Sequence, residues 1–433
     1  MDIKLSESFT YKKLLRFTLP SIVMMIFTSI YGVVDGFFVS NFVGKTPFAA
    51  VNFIMPFLMI LGAIGFMFGT GGSALVSKTM GEGDPEKAKR IFSLLIYVST
   101  ACAVVIAVVG IALLRPLASL LGAEGEMLEN CVRYGRIILI ALPAYVLQFE
   151  FQSFFVTAEK PQLGLAFTVA AGVTNMVLDA LLVAVFPLGL EGAAAATTIS
   201  QAVGGIAPLV YFARPNKSLL RLTKTRFDGK NLLKTCTNGS SELMSNISMS
   251  LVGMLYNVQL MKYAGEDGVA AYGVLMYINM IFLAAFIGYH YGAQDHAELK
   301  SLLSKSVRII SVFAVCMFAL AEVLARPLAS IFVGYDAGLT ELTVRAFSIF
   351  SFAFLFAGFS IFGSSFFTAL NNGLISAAIS FLRTLVFQIA AVLILPLIFD
   401  IDGIWYSIVV AEVVSVIVTA IFIFTKRKKY GYM

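Results

Sequence analysis

The stretch FSLLIYVSTACAVVIAVVGIALL, Phe92–Leu114, decides the fold: 23 residues pass without a charge before Arg115. At 1.5 Å per residue, a helix of that length spans about 35 Å, enough to cross a hydrocarbon core of roughly 30 Å. The rest of the chain repeats the pattern. Its 433 residues are 59% hydrophobic and 13% charged, with a mean hydropathy of +0.89. Soluble domains run at about 45–50% apolar and about 25% charged. A water-soluble enzyme, a disordered chain and a fibrous chain are excluded. The gaps between charges give twelve spans: 17–40, 50–77, 92–114, 134–158, 161–184, 192–213, 236–261, 268–291, 306–325, 346–370, 373–398 and 403–425. Only helices and closed barrels satisfy their backbone in lipid. These runs are too long for barrel strands, so the expected fold is an all-α membrane protein.

Directly after Leu114 comes RPLAS, Arg115–Ser119, which recurs at Arg326–Ser330, an offset of 211. The same offset carries Gly81, Asp84 and Lys89 onto Gly292, Asp295 and Lys300, and Gly192 onto Gly403. It also carries Phe151, Ser153, Phe155, Thr157 and Ala158 onto Phe362, Ser364, Phe366, Thr368 and Ala369. The chain therefore holds two six-helix lobes related by a parallel repeat, 1–213 and 235–433, joined by a polar linker over 214–234. Such repeats are related by an axis along the membrane normal and work by rocking about a central cavity. Ala49-Ala50 pairs with Ala270-Ala271 at an offset of 221, so span eight is expected to be about ten residues shorter than span two.

Counted on alternate sides of the twelve spans, 23 Lys and Arg fall on the face holding the termini and seven on the other, with Arg383 inside a span. The positive-inside rule then puts both termini in the cytoplasm. Basic loops account for the formal charge of +6 without nucleic acid. The polar N-terminal segment, with no small-residue cleavage site after the first span, reads as part of a retained helix. The four cysteines form no C-x-x-C pair and the histidines number two, so neither a disulfide framework nor a metal centre is expected. No cofactor is implied.

Charges inside spans cost about 2.5–3.5 kcal/mol each on insertion scales and mark functional candidates. They are Asp35, Glu150, Asp179, Glu242, Glu322, Glu412 and Arg383. Asp35 and Asp179 share a depth, each about 18 residues from the inner end of its span. Asn175 lies on the face of Asp179, and Thr198 on that of Gln201, by the four- and three-residue spacing of helices. Two carboxylates at one depth in a low dielectric repel, so the pair suits uptake of a proton or of a small cation helped by Asn175 and Thr198. Glu242 with Asn246 is the acid of the second half. Glu412 holds the repeat position of Gln201, and Arg383 needs a partner, for which Glu412 is a candidate. Glu322, four residues before Arg326, reads as half of an interfacial pair. Pro20 is expected to kink the helix that carries Asp35.

The segments TLPSIV and YGVVDGFFVS in span one, the loops GEGDPEKAKR and YGAQDHAELK, NMVLD in span five, GAAAATTISQ in span six and GIWYSIVVAE in span twelve resemble the multidrug and toxic compound extrusion (MATE) transporters, most of all their MepA-like bacterial branch. The resemblance covers essentially the whole chain. It implies a monomeric carrier in the bacterial inner membrane that exports small organic, often cationic compounds through the bilayer, using H⁺ or Na⁺ as coupling ion. It also implies a coupling site at Asp35, Asn175, Asp179 and Thr198, with any Na⁺ bound there. Glu242 fits the family's span-seven acid. Span ten departs from the pattern, with Ser364, Ser365 and Thr368 in place of an Asp.

The main alternative is a flippase for a lipid-linked precursor, which calls for a strongly cationic cavity, whereas the intramembrane charges here are mostly acidic. A membrane transferase would need a D-x-x-x-D loop, and an ATPase a G-x-x-x-x-G-K-[ST] loop. Neither motif occurs.

Overall fold

The computed structural model describes Phe27, residues 30–290, 299–369 and 373–430. Pro20, Gly292, Asp295 and His296 lie outside the described residues. Helices account for almost all of the rest, because apolar side chains leave no other way to satisfy the backbone in lipid.

In the first half, α1 is Ile30–Val43, α2 Lys45–Gly81, α3 Pro85–Leu120, α5 Pro161–Val185 and α6 Gly189–Ala213. Between them α4 is a bent pair, Gly125–Ile140 and Leu142–Thr157, turning by 55°. In the second half, one helical run, Gly229–His290, is broken at Gly265, whose φ of 59° and ψ of −148° no helix tolerates. The break yields α7, residues 229–264, and α8, residues 266–290. Then come α9, Leu299–Val333, and α10, the bent pair Ala337–Ser351 and Phe354–Ala369. The last two are α11, residues 373–394, and α12, Pro396–Tyr430. Among the described residues, seven helices are long and apolar enough to cross a membrane alone, and nine if each bent pair counts as one. The described part of α8, residues 266–290, is at about 1.5 Å per residue long enough to cross, and the segment in which a shortfall against α2 would show lies outside the described residues.

The repeat is visible in ion pairs. Arg115 of the first RPLAS pairs with Glu129, and Arg326 of the second with Glu341 at 3.1 Å. Arg133 pairs with Glu191 at 3.4 Å, and Arg345, close to one repeat further on, with Asp402. Arg326 thus turns to Glu341 and not to Glu322, whose carboxylate accepts a 2.5 Å hydrogen bond from Ser351. The expected Glu322–Arg326 pair does not form, since a neutral hydroxyl already satisfies the acid.

The chain divides into two compact units, one over Val23–Leu251 and one that includes Val252–Met433. The division falls within α7, past the 214–234 linker. Two contacts explain this. A Cβ built on Gly239 of α7 would lie 2.1 Å from Met67 O of α2, and one on Gly71 would lie 2.2 Å from Thr235 O. Glycines on both sides let the backbones touch, as small residues do between membrane helices. The linker is also docked. Leu220 is fully buried in an aromatic core with Phe92, Phe151, Phe154 and Phe212. Leu222 N donates to Phe212 O at 2.9 Å, and Thr223 N to Ser93 Oγ of α3 at 2.8 Å.

Candidate functional site

Asp35 lies on α1 and Asp179 on α5. The two helices come together because Gly172 of α5 has no side chain. A Cβ there would meet Phe27 Cε1 at 2.5 Å and Tyr31 Cδ1 at 2.9 Å. One to two turns further along each helix, Asp35 and Asp179 come within reach of one another. Asp179 is fully buried, and neither of its carboxyl oxygens has a hydrogen-bond partner among the described residues. The same holds for Asp35 Oδ1 and for Asn175 Oδ1, one turn before Asp179. No Lys or Arg is paired with either acid among the described residues. These are four acceptor atoms around one place, with nothing donating to them.

Thr197 of α6 stands within reach of Asp35, its own hydroxyl buried and without a partner among the described residues. Thr198 points elsewhere on α6 and donates to Ile137 O of α4 at 3.3 Å. Of the two adjacent threonines, Thr198 is thus bonded to α4 while Thr197 is the one beside Asp35. Gln201 of α6 is half-buried, its Oε1 out of solvent and without a partner among the described residues. Tyr31 stands one turn before Asp35 and within its electrostatic reach, and Tyr145 of α4 lies within reach of Tyr31. Sequence reasoning passed over both tyrosines, although the i, i+4 relation of Tyr31 to Asp35 was there to read.

Glu150 of α4 is a further intramembrane acid of this unit. It is fully buried, with both oxygens unpartnered among the described residues.

In the other unit the charges cancel. Arg383 Nε donates to Glu412 Oε1 and Oε2 at 3.0 and 2.9 Å, and Nη2 to Oε1 at 2.7 Å. This is the fork geometry that suits guanidinium to carboxylate. Nearby, Tyr256 of α7 donates to Gln388 of α11 at 2.8 Å and stacks on Tyr272 at 5.4 Å. Ser364, at the span-ten position that lacks an acid, joins Ser376 and Ser380 of α11 at 2.9 and 2.8 Å. Glu242 sits on an exposed face of α7. Asn246 donates to the backbone O of Glu242 at 2.8 Å, so the two side chains do not meet. The structure brings Arg383 and Glu412 together, while Glu242 and Asn246 belong to the first unit, on the part of α7 before Val252.

Each of the three described π stretches lies at one of these charges. Val39–Val43 begins four residues after Asp35, Ala180–Val185 directly after Asp179, and Leu382–Phe387 contains Arg383. π insertions shift the register of a helix face and recur at functional sites.

The MatE family profile matches residues 20–181 and 243–394, once in each half. The multidrug export protein MepA of Staphylococcus saprophyticus is 24% identical, over 98% of this chain and 95% of its own. The protein of that name from Staphylococcus aureus strain MRSA252 is 22% identical over the same shares. An inward-facing multidrug resistance MATE family transporter of the MOP superfamily superposes with a TM-score of 0.87 at 20% identity, covering 96% of this chain and 98% of its own. With the profile matching well over half of the sequence and the repeat falling where the profile falls twice, the chain belongs to the MatE family.

Proposed function

We propose that this protein is a secondary antiporter that exports small organic, often cationic compounds against an inward flow of H⁺ or Na⁺, by alternating access. The observation that carries the reading is the Asp35–Asp179 pair: a fully buried and a half-buried carboxyl within reach of each other, with no Lys or Arg paired to them among the described residues. Two negative charges side by side in a low dielectric are costly. A proton or Na⁺ relieves that cost, and so does a cationic substrate. Each ligand therefore disfavours the other at the same acids. That competition supplies the differential binding without which no ligand shifts a conformational equilibrium.

Asn175 and Thr197 supply neutral oxygens beside the acids, as a small cation needs. Cation arrival neutralises the pair and loosens its hold on substrate. Cation departure recharges it. The π stretches after Asp35 and Asp179 are the segments where such a change in charge is best absorbed by rewinding a helix. Export by the MepA relatives supports the substrate class, and the basic loops support a plasma-membrane carrier with both termini in the cytoplasm. Reading the protein as a flippase for a lipid-linked precursor is less well supported, because Arg383, deep in its span, is taken up by Glu412.

The test is ethidium efflux from proteoliposomes carrying a pH gradient alone, then a Na⁺ gradient alone. Efflux driven by one gradient supports antiport and names the ion. Absence of efflux under both, from folded protein, overturns the reading.

A further inference from the structure

A cavity of about 870 Å³ opens between the first turns of α3 and the docked linker. Lys87 and Arg90 line it from α3, and Lys224 and Arg226 from the linker. Lys87 and Arg90 are three residues apart and share a helix face. Lys224 and Arg226 are two apart on an extended segment and point to one side. None of the four forms an ion pair among the described residues, whereas their neighbours do: Lys89 pairs with Glu86 at 2.8 Å and Lys78 with Glu82 at 3.9 Å. The one acid in the lining, Asp228, is spent on the start of α7, accepting from Lys230 N at 3.1 Å and from Asn231 Nδ2 at 2.7 Å. A loop that merely carries topogenic charge would hang free and solvated. This one is fastened by Ser93 and by buried Leu220, so the four cations are held around one concavity.

Phe227, also in the lining, is 76% exposed, and Leu233 just inside α7 is 69% exposed. Apolar side chains beside a cluster of Lys and Arg, at the end of membrane-crossing helices, match a surface seated in the headgroup region. We propose that this pocket binds the phosphate of an acidic phospholipid in the adjoining leaflet. Lys87, Arg90, Lys224 and Arg226 hold the headgroup, and Phe227 dips toward the acyl chains. The site is independent of the transport reading, since it lies on the linker and α3 and uses none of the intramembrane acids.

The experiment is native mass spectrometry of the full-length protein in neutral detergent, titrated with phosphatidylglycerol, phosphatidylcholine or inorganic phosphate at fixed salt. One saturable phosphatidylglycerol adduct is expected, favoured at least about tenfold over phosphatidylcholine. Binding should fall at least about tenfold in Lys87→Gln/Arg90→Gln/Lys224→Gln/Arg226→Gln, and detectably in the milder Lys224→Gln/Arg226→Gln. A charge-matched variant of the C-terminal run, Lys426→Gln/Arg427→Gln/Lys428→Gln/Lys429→Gln, should keep the adduct. Equal loss in both quadruple variants would reduce the effect to overall charge and overturn the site. Displacement of the lipid by inorganic phosphate at low millimolar concentration would overturn the lipid as its ligand in favour of a soluble phosphate. Lack of preference between the two lipids would overturn it as well.

Discussion

Arg383 and Glu412, 29 positions apart and on different helices, are locked together by three hydrogen bonds of 2.7–3.0 Å. The pair makes one unit of the protein electrically quiet at that depth. The other brings Asp35 and Asp179 together, with no Lys or Arg paired to either among the described residues. The two halves share one repeat, yet they differ in charge: an arginine–glutamate pair in one and two neighbouring aspartates in the other.

Removing one partner of a buried ion pair leaves a stranded charge, which costs about 3–5 kcal/mol. Arg383→Gln and Glu412→Gln should each destabilise the protein by that order, seen as lower melting temperatures in detergent. The double variant Arg383→Met/Glu412→Leu should recover most of the loss, because it removes the desolvation cost with the attraction. A double variant as unstable as the singles would show that the pair's geometry, not its charge, holds α11 to α12.

At the contact of α2 with α7, a methyl group has no room. Gly239→Ala would drive Cβ against Met67 O, a backbone atom that cannot swing aside. Overpacking of this kind costs about 1–3 kcal/mol. A lower melting temperature with unchanged expression checks it. Gly81→Ala is the control, since a Cβ there meets nothing within 4 Å.

Gly172 sets how closely α1 approaches α5. Gly172→Val should part the helices at Phe27 and Tyr31 and move Asp35 relative to Asp179. Gradient-driven efflux should fall at least about fivefold, the lower end of coupling energies between sites, while the protein remains folded. Unchanged efflux would mean that the acids need no such spacing.

Ser93 Oγ accepts from Thr223 N and holds the linker. Ser93→Ala leaves that N–H without its partner, at a cost of about 1 kcal/mol. Tryptic cleavage at Arg221, Lys224 and Arg226 should become faster, with the rest of the chain as resistant as before.

Much of this was legible in the sequence. The span pattern follows from charge-free runs such as Phe92–Leu114, and the repeat from RPLAS. The shared depth of Asp35 and Asp179 follows from counting along two helices that start on one face. What was not legible depends on rotation and packing. Thr197 and Thr198 are adjacent in sequence, and only the phase of α6 decides which one meets Asp35. The linker read as a polar divider because its cations outnumber Leu220, yet that one leucine, sunk in a phenylalanine cluster, fastens the segment. Glu322 had a basic residue one turn away and a serine 29 positions on, and the distant serine won. No pattern in the sequence orders such choices, since they depend on which helix lies alongside.

The account stands on Asp35 and Asp179 acting as one cation-coupling unit. The most direct measurement is gradient-driven ethidium efflux from proteoliposomes holding equal amounts of folded wild type, Asp35→Asn and Asp179→Asn. Loss of gradient-driven efflux in both variants, with melting temperatures at or above that of the wild type, is the predicted result. Near wild-type efflux in both would contradict it.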